Sequence, residues 1–130
     1  MMQHIIGVAR NQMVFTSLEQ NIPDDNPVRF LDAFVENIDL GALGFELQTL
    51  KTEGRPSYST KIFLKIYLYG YLNGLRSSRK LEKECTRNME LQWLLYGLIP
   101  NYHSISDFRK DNPSGLKKTL QSICFIFKRC

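Results

Sequence analysis

The chain has 130 residues, 43% of them hydrophobic and 23% charged, with a formal net charge of +4. That length fits one domain with a single core, and the composition is that of an ordinary globular chain rather than a low-complexity or fibrous one. The charge is unevenly divided: residues 1–60 carry four basic against eight acidic side chains, net −4, and residues 61–130 thirteen against five, net +8. Such asymmetry points the second part towards a polyanionic partner, nucleic acid first, with a solvated basic surface as the plain alternative.

Cys85, Cys124 and Cys130 form no C-x-x-C pair. Their odd number argues against a disulfide framework and for a reducing, cytoplasmic setting. The opening MMQHIIGVARNQMVF has no long apolar run behind a basic segment, so no signal peptide is expected. Lys65, Gly70 and Asn73 break the longest apolar stretch, which falls short of the roughly 18 uninterrupted residues of a membrane span.

In chain order, residues 1–16 show no strong periodicity and are expected to lie extended or loosely packed on the core. Ser17–Gln20 has the S-x-x-Q form of a capping box, a sign of one short helical turn, which Ile22-Pro23 interrupts. Asn26-Pro27 is a better helix start, because Asn26 can accept from a free backbone N–H and Pro27 has none to leave unsatisfied. Val28, Leu31, Phe34, Val35 and Ile38 then recur at helical spacing, predicting an amphipathic helix over 27–38. Leu40, Leu43, Phe45 and Leu47, around Gly41 and Gly44, read as a helical turn and an exit. Residues 48–58, with Gly54 and Pro56, read as a loop.

Lys61 to Leu75 is apolar almost all the way round, which predicts a buried core helix starting near Ser59 or Thr60. Gly70 inside it costs about 1 kcal/mol relative to Ala, so close approach of a neighbouring helix is expected there. Gly74 to Ser78 is a turn signal. A basic helix over about 78–88 follows, Leu81 and Cys85 inward and Arg79, Lys80, Lys83 and Arg87 outward. Met89 to Leu98 is a further apolar run ended by Gly97 and Pro100, with Trp93 read as a core anchor rather than a platform for a base. Residues 101–103 read as a loop, Ser104–Asp107 as the capping box of a short helix, and Asn112-Pro113 as the start of a final helix bearing Leu116, Leu120, Ile123, Cys124 and Phe127 on one face. No segment alternates as a strand. The prediction is an all-α fold of five to seven helices in one domain over 1–130, with a helix-turn-helix-like pair at about 60–75 and 78–88.

Catalytic chemistry finds no support. His4 and His103 sit in no metal-ligand spacing, and Glu82 and Glu84, two apart on a helix, do not face each other. Asp107 and Asp111 read as helix-terminal residues, explained by capping and the helix dipole. Neither a phosphate loop nor a nucleophile motif is present, so no catalytic residue, metal or cofactor is assigned. DNA binding has a better physical case. A short basic helix on a supporting helix fits the major groove, which is about 12 Å wide, and its arginines and lysines serve phosphates first and base edges second.

Several stretches carry a resemblance: GRPSY at 54–58, LKIYLYGYLNGLRSSRKLEKECTRNMELQWLL at 64–95 and PNYHSISDFRKDN at 100–112, together with RNQMVF at 10–15 and DDNPVRFLDAFVENIDL at 24–40. They resemble the N-terminal domain of bacterial insertion-sequence transposases, the transposase InsH N-terminal type, from about Ile5 onward. The resemblance implies a cut-and-paste transposase whose helical domain binds the element's terminal inverted repeats. A downstream RNase H-like domain of that family carries an Asp-Asp-Glu triad holding two divalent metals. Cys130 precedes any position that could match the triad, so no triad residue is carried over, and the expectation is a chain truncated before its catalytic domain, not catalytic alone. Asn101 stands where the family usually has Asp, and Gly74 where a larger or basic residue is common.

The leading expectation is therefore a DNA-binding transposase fragment with double-stranded DNA at transposon ends as partner. Arg76, Arg79, Lys80, Lys83 and Arg87 are its principal contacts, and Arg109 and Lys110 its secondary ones. The alternative is a protein-interaction module that forms a homo-oligomer or inhibits full-length transposase; a decayed remnant is the third reading.

Overall fold

Thr60–Asn73 forms a helix with almost no outward face: Ile62, Phe63, Leu64, Lys65, Ile66, Leu68, Tyr69 and Gly70 are all buried. The computed structural model describes residues 4–45 and 58–127. Among these the helices are α1 (Pro27–Asn37), α2 (Thr60–Asn73), α3 (Ser78–Arg87), α4 (Met89–Leu94), α5 (Tyr102–Asp111) and α6 (Pro113–Phe127), preceded by a single 3-10 turn at Glu19–Asn21. The fold is all-α, with no strand among the described residues. α2 packs against α1, α4 and α6, while α3 rests on α4 and α5.

The helix starts are set by local side chains. Asn26 Oδ1 accepts from the Val28 N–H at 2.9 Å with Pro27 in the first turn, as the sequence predicts. Ser59 and Ser77 accept from Ile62 and Lys80 at the heads of α2 and α3. Ser17 Oγ likewise accepts from the Gln20 N–H at 3.2 Å beside the 3-10 turn.

Lys65 is the one charged side chain on the buried face of α2, with no exposed surface. Its ammonium lies 2.7 Å from Asp32 Oδ1 and 2.8 Å from Glu36 Oε1, a pair one turn apart on α1. The Tyr96 ring, just past α4, covers it at 4.9 Å. Burial opposes the charge on Lys65, but the hydrogen bonds to Asp32 and Glu36 outweigh it and leave its pKa raised. The Lys65 hydrogen bond in turn holds the Glu36 carboxyl below its usual range. Tyr96 has a left-handed backbone, φ 55°, which is costly for a residue with a Cβ; its ring lies over the ammonium in return.

A second set of contacts gathers on Phe108 of α5. Its ring stacks on Phe63 at 5.0 Å, on Phe45 at 5.9 Å and on Tyr67 at 6.0 Å, within the favourable range for offset aromatic pairs. The Tyr67 hydroxyl donates to the Ile105 carbonyl, and burial pushes it up to about 12 against the nearby Arg109 charge. Phe45 also lies flat on Gly115 of α6, where an added Cβ would stand 2.8 Å from the ring. At the other end, Arg29 of α1 reaches back to the Ile22 carbonyl at 2.7 Å and to Glu19, and lies 5.1 Å from the Trp93 ring. The Trp93 indole N–H donates to Glu19 at 3.0 Å, which fixes it as a half-buried structural anchor.

Gly70 answers its predicted purpose with a refinement. What approaches it most closely is the Leu75 carbonyl, 2.4 Å from an added Cβ, ahead of Leu81 of α3 at 3.0 Å. The turn folds back over α2 there, with the Leu75 N–H bonded to the Gly70 carbonyl at 2.7 Å. Gly74, at φ 74°, ends α2 in the left-handed conformation that suits glycine.

Several expectations need correction. Residues 4–16 form no helix or strand, turn at Arg10–Asn11 and do not pack on the core: Ile5, Ile6, Val8, Met13, Val14 and Phe15 are each at least 74% exposed. α5 begins at Tyr102, not Ser104, because Asn101 accepts from the Ser104 N–H at 2.8 Å and moves the cap three residues back. Asp107 therefore sits in the middle of α5 rather than at its start, while Asp111 stands at the helix end as expected. α6 does begin at Pro113 directly after Asn112, as expected, and the Leu116 N–H bonds back to the Asn112 carbonyl at 3.1 Å. α4 takes only Met89–Leu94 from the apolar run at 89–98, and Met89 and Leu98 are exposed. Most of the 48–58 loop, Leu47 and Cys130 lie outside the described residues.

Gly70→Ala should lower stability by about 1–3 kcal/mol, although alanine is the better helix former, because the Leu75 carbonyl and Leu81 must both move. Urea midpoints would show it; a midpoint above wild type would contradict this close approach. A second series tests Lys65. Asp32 and Glu36 are partly exposed and can hydrate, whereas the ammonium cannot. Asp32→Asn with Glu36→Gln should thus cost about 3–5 kcal/mol, more than Lys65→Met, in the same unfolding assay.

Candidate nucleic-acid interface

α3 separates an apolar side from a basic one. Leu81 and Cys85 are each 1% exposed, and burial pushes the Cys85 thiol up to about 11, leaving it a neutral core residue. At about 100° per residue, Arg79, Lys80, Lys83 and Arg87 fall within an arc of about 100° on the opposite side. All four are exposed, as is Arg76 in the turn before the helix. The predicted basic residues of this segment therefore share one solvent-facing surface.

Their surroundings differ. Arg79 lies 4.6 Å over the Tyr102 ring, a cation–π contact between α3 and the head of α5. Glu82, beside it, accepts from the Tyr102 backbone N–H. Thus Glu82 ties α3 to α5. Arg87 is held by Glu84, whose Oε1 accepts from both Nε, at 2.7 Å, and Nη2. That pair, followed by the Asn88 contact, keeps the Glu84 carboxyl below its usual range. Among the described residues, no hydrogen bond or ion pair engages the ammonium groups of Lys80 and Lys83.

Asn88 joins this surface to the core. Its Oδ1 accepts from the Glu90 and Leu91 N–H groups at 2.9 and 3.2 Å, capping α4. Its amide donates to Tyr69 Oη at 3.0 Å and to Glu84 Oε2 at 3.3 Å. Tyr69 donates to Glu90 at 2.7 Å, and burial, reinforced by that carboxylate, raises its pKa. Asn88 thus ends α3 and starts α4 at once.

Arg109 and Lys110 are exposed but stand two turns along α5 from Tyr102, the residue that α3 engages. The structure does not bring them into contact with the α3 group. α2 and α3 are consecutive, joined by Gly74–Ser77, but the bed of α3 is α5 and α4, with α2 meeting it where Leu81 approaches Gly70. His4 and His103 are exposed. Among the described residues no three His, Cys, Asp or Glu side chains gather closely enough to hold a metal ion. Nor, among them, is any helix long and apolar enough to cross a membrane.

Residues 16–111 match the family described as Transposase domain (DUF772). The match begins just before the 3-10 turn and ends on the last residue of α5, so it takes in α3 and the helices that hold it. No curated protein and no solved structure matches the chain. With well over half its length in that match, the chain belongs to the transposase domain family.

Proposed function

We propose that this domain binds double-stranded DNA and recognises the terminal repeats of a mobile element, as the N-terminal recognition part of a cut-and-paste transposase of the InsH type. The observation that carries the reading is the exposed basic face of α3, with Arg79, Lys80, Lys83 and Arg87 opposite Leu81 and Cys85. A helix of this size fits the major groove when its far side is firmly supported, and α4 and α5 supply that support. Arg76, Lys80 and Lys83 act chiefly on phosphates, with Arg109 and Lys110 as secondary contacts. Strand cleavage and its divalent metals are assigned to a catalytic domain outside these helices.

Phosphate contacts release counterions, so affinity should fall with salt by about 0.9 log units per log unit for each phosphate neutralised. Gel-shift titrations across a salt series should give a steep slope for the wild type. Lys80→Ala with Lys83→Ala should flatten it by about 2. An unchanged slope would remove α3 from the interface. Equal affinity for terminal-repeat and random duplexes at moderate salt would remove the sequence-specific part of the proposal.

A second reading, self-association, is favoured by a separate observation. Phe125 of α6 is 84% exposed and Ile126 46% exposed, beside an open groove of about 510 Å³ lined also by Leu43, Lys118, Gln121 and Ser122. Exposed apolar surface of this kind marks contact sites. On this reading, sedimentation velocity would detect a concentration-dependent dimer that Phe125→Asp abolishes; a monomer at high concentration would rule it out.

A further inference from the structure

The basic residues of α3 are not equivalent, and Arg87 is the one whose donors are aimed. A guanidinium has two edges that can make paired hydrogen bonds. Glu84 Oε1 occupies the side edge, taking Nε and Nη2 together. The end edge, with Nη1 and the second Nη2 hydrogen, is left over, and the Arg87 side chain is 61% exposed against 15% for Glu84. The carboxylate is therefore sheltered while the fork it holds faces water.

Glu84 is itself fixed. Asn88 donates to its other oxygen, caps α4 with its own carbonyl, and donates to Tyr69 on the buried helix α2. This chain of hydrogen bonds runs from the core to the surface and ends on one arginine. Neither ammonium on the same face has such a tether, and Arg79 is held through the face of its guanidinium, which does not select which edge points outward.

A side chain held this way suits a demanding partner. A phosphate can also take a bidentate fork, but among the bases it is guanine that presents two acceptors, O6 and N7, side by side in the major groove, and so calls for two parallel donors. Orientation by Glu84 also lowers the rotamer entropy lost on contact. Resting on the DNA-binding reading above, we propose that Arg87 makes the base-specific contact of this domain, a paired hydrogen bond to guanine, and that Glu84 is its positioning residue.

The test is selection of binding sites from a randomised duplex library by the full chain, with Arg87→Lys, Glu84→Ala, Glu84→Gln and Lys83→Ala as variants. Wild type should enrich sites with guanine fixed at one position. Arg87→Lys keeps the charge but not the fork, and should lose about 5- to 150-fold of preference at that position, the range for a good paired contact. Glu84→Ala should lose part of the same preference with Arg87 still present. Glu84→Gln, whose carbonyl can still accept, should recover some of it. Lys83→Ala should weaken binding to all sequences alike and leave the guanine preference intact. A guanine preference that survives Arg87→Lys, or a wild-type site with no fixed guanine, overturns the assignment while leaving DNA binding in place. If wild type enriches no sequence over random duplex, sequence recognition itself fails, and this inference with it.

Discussion

The fold depends on where a buried ammonium can find its counter-charges. Lys65 has no exposed surface, and leaving such a group unpaired would cost several kcal/mol. Only one arrangement of α1 on α2 brings Asp32 and Glu36, a turn apart, within 2.8 Å of it. The pair therefore acts on register more than on net stability. It fixes the rotation of α1 about its axis and its position along α2. Through the Tyr96 ring, it also fixes how the chain leaves α4. Apolar contacts alone would tolerate small slips between these helices. A buried charge does not.

From that frame the basic face follows in steps. The chain leaves α2 through the left-handed Gly74 and turns tightly over Gly70, which lets Leu81 of α3 reach the core. The aromatic stack on Phe108 holds α5 against α2, and α5 in turn receives Glu82 and Arg79. Asn88 sits where α3 ends and α4 begins and bonds to both, and to Tyr69. The outer face of α3 is consequently supported at its head by α5 and at its tail by Asn88. A supported, basic, exposed helix is what groove binding requires.

Much of this was legible before the structure, and the gaps have physical causes. α1 was readable from Asn26-Pro27 and its periodic apolar residues, and α3 from Leu81 and Cys85 set against four cations. Both signals are local. Lys65, by contrast, reads as an interruption in an apolar run, because nothing in a single sequence reveals partners 29 residues or more away. The head of α5 went astray because Asn101 and Ser104 are both competent caps, and the choice falls to Asn101 once Glu82 takes up the Tyr102 N–H. Net charge pointed to the exposed basic face of α3. It could not tell Lys83, whose ammonium has no hydrogen-bond partner among the described residues, from Arg87, held by Glu84, since charge counting subtracts Glu84 where the geometry makes it a support.

The central claim is that the outer face of α3 is the surface this domain presents to DNA. Amide and side-chain chemical-shift changes on titrating the full chain with duplex DNA test it most directly. The account predicts that the shifts gather on Arg76 to Asn88, with weaker changes near Arg109 and Lys110, while Phe125 and the residues before the 3-10 turn stay still. Shifts confined to α6 and the N-terminal segment, or none along α3, would contradict it.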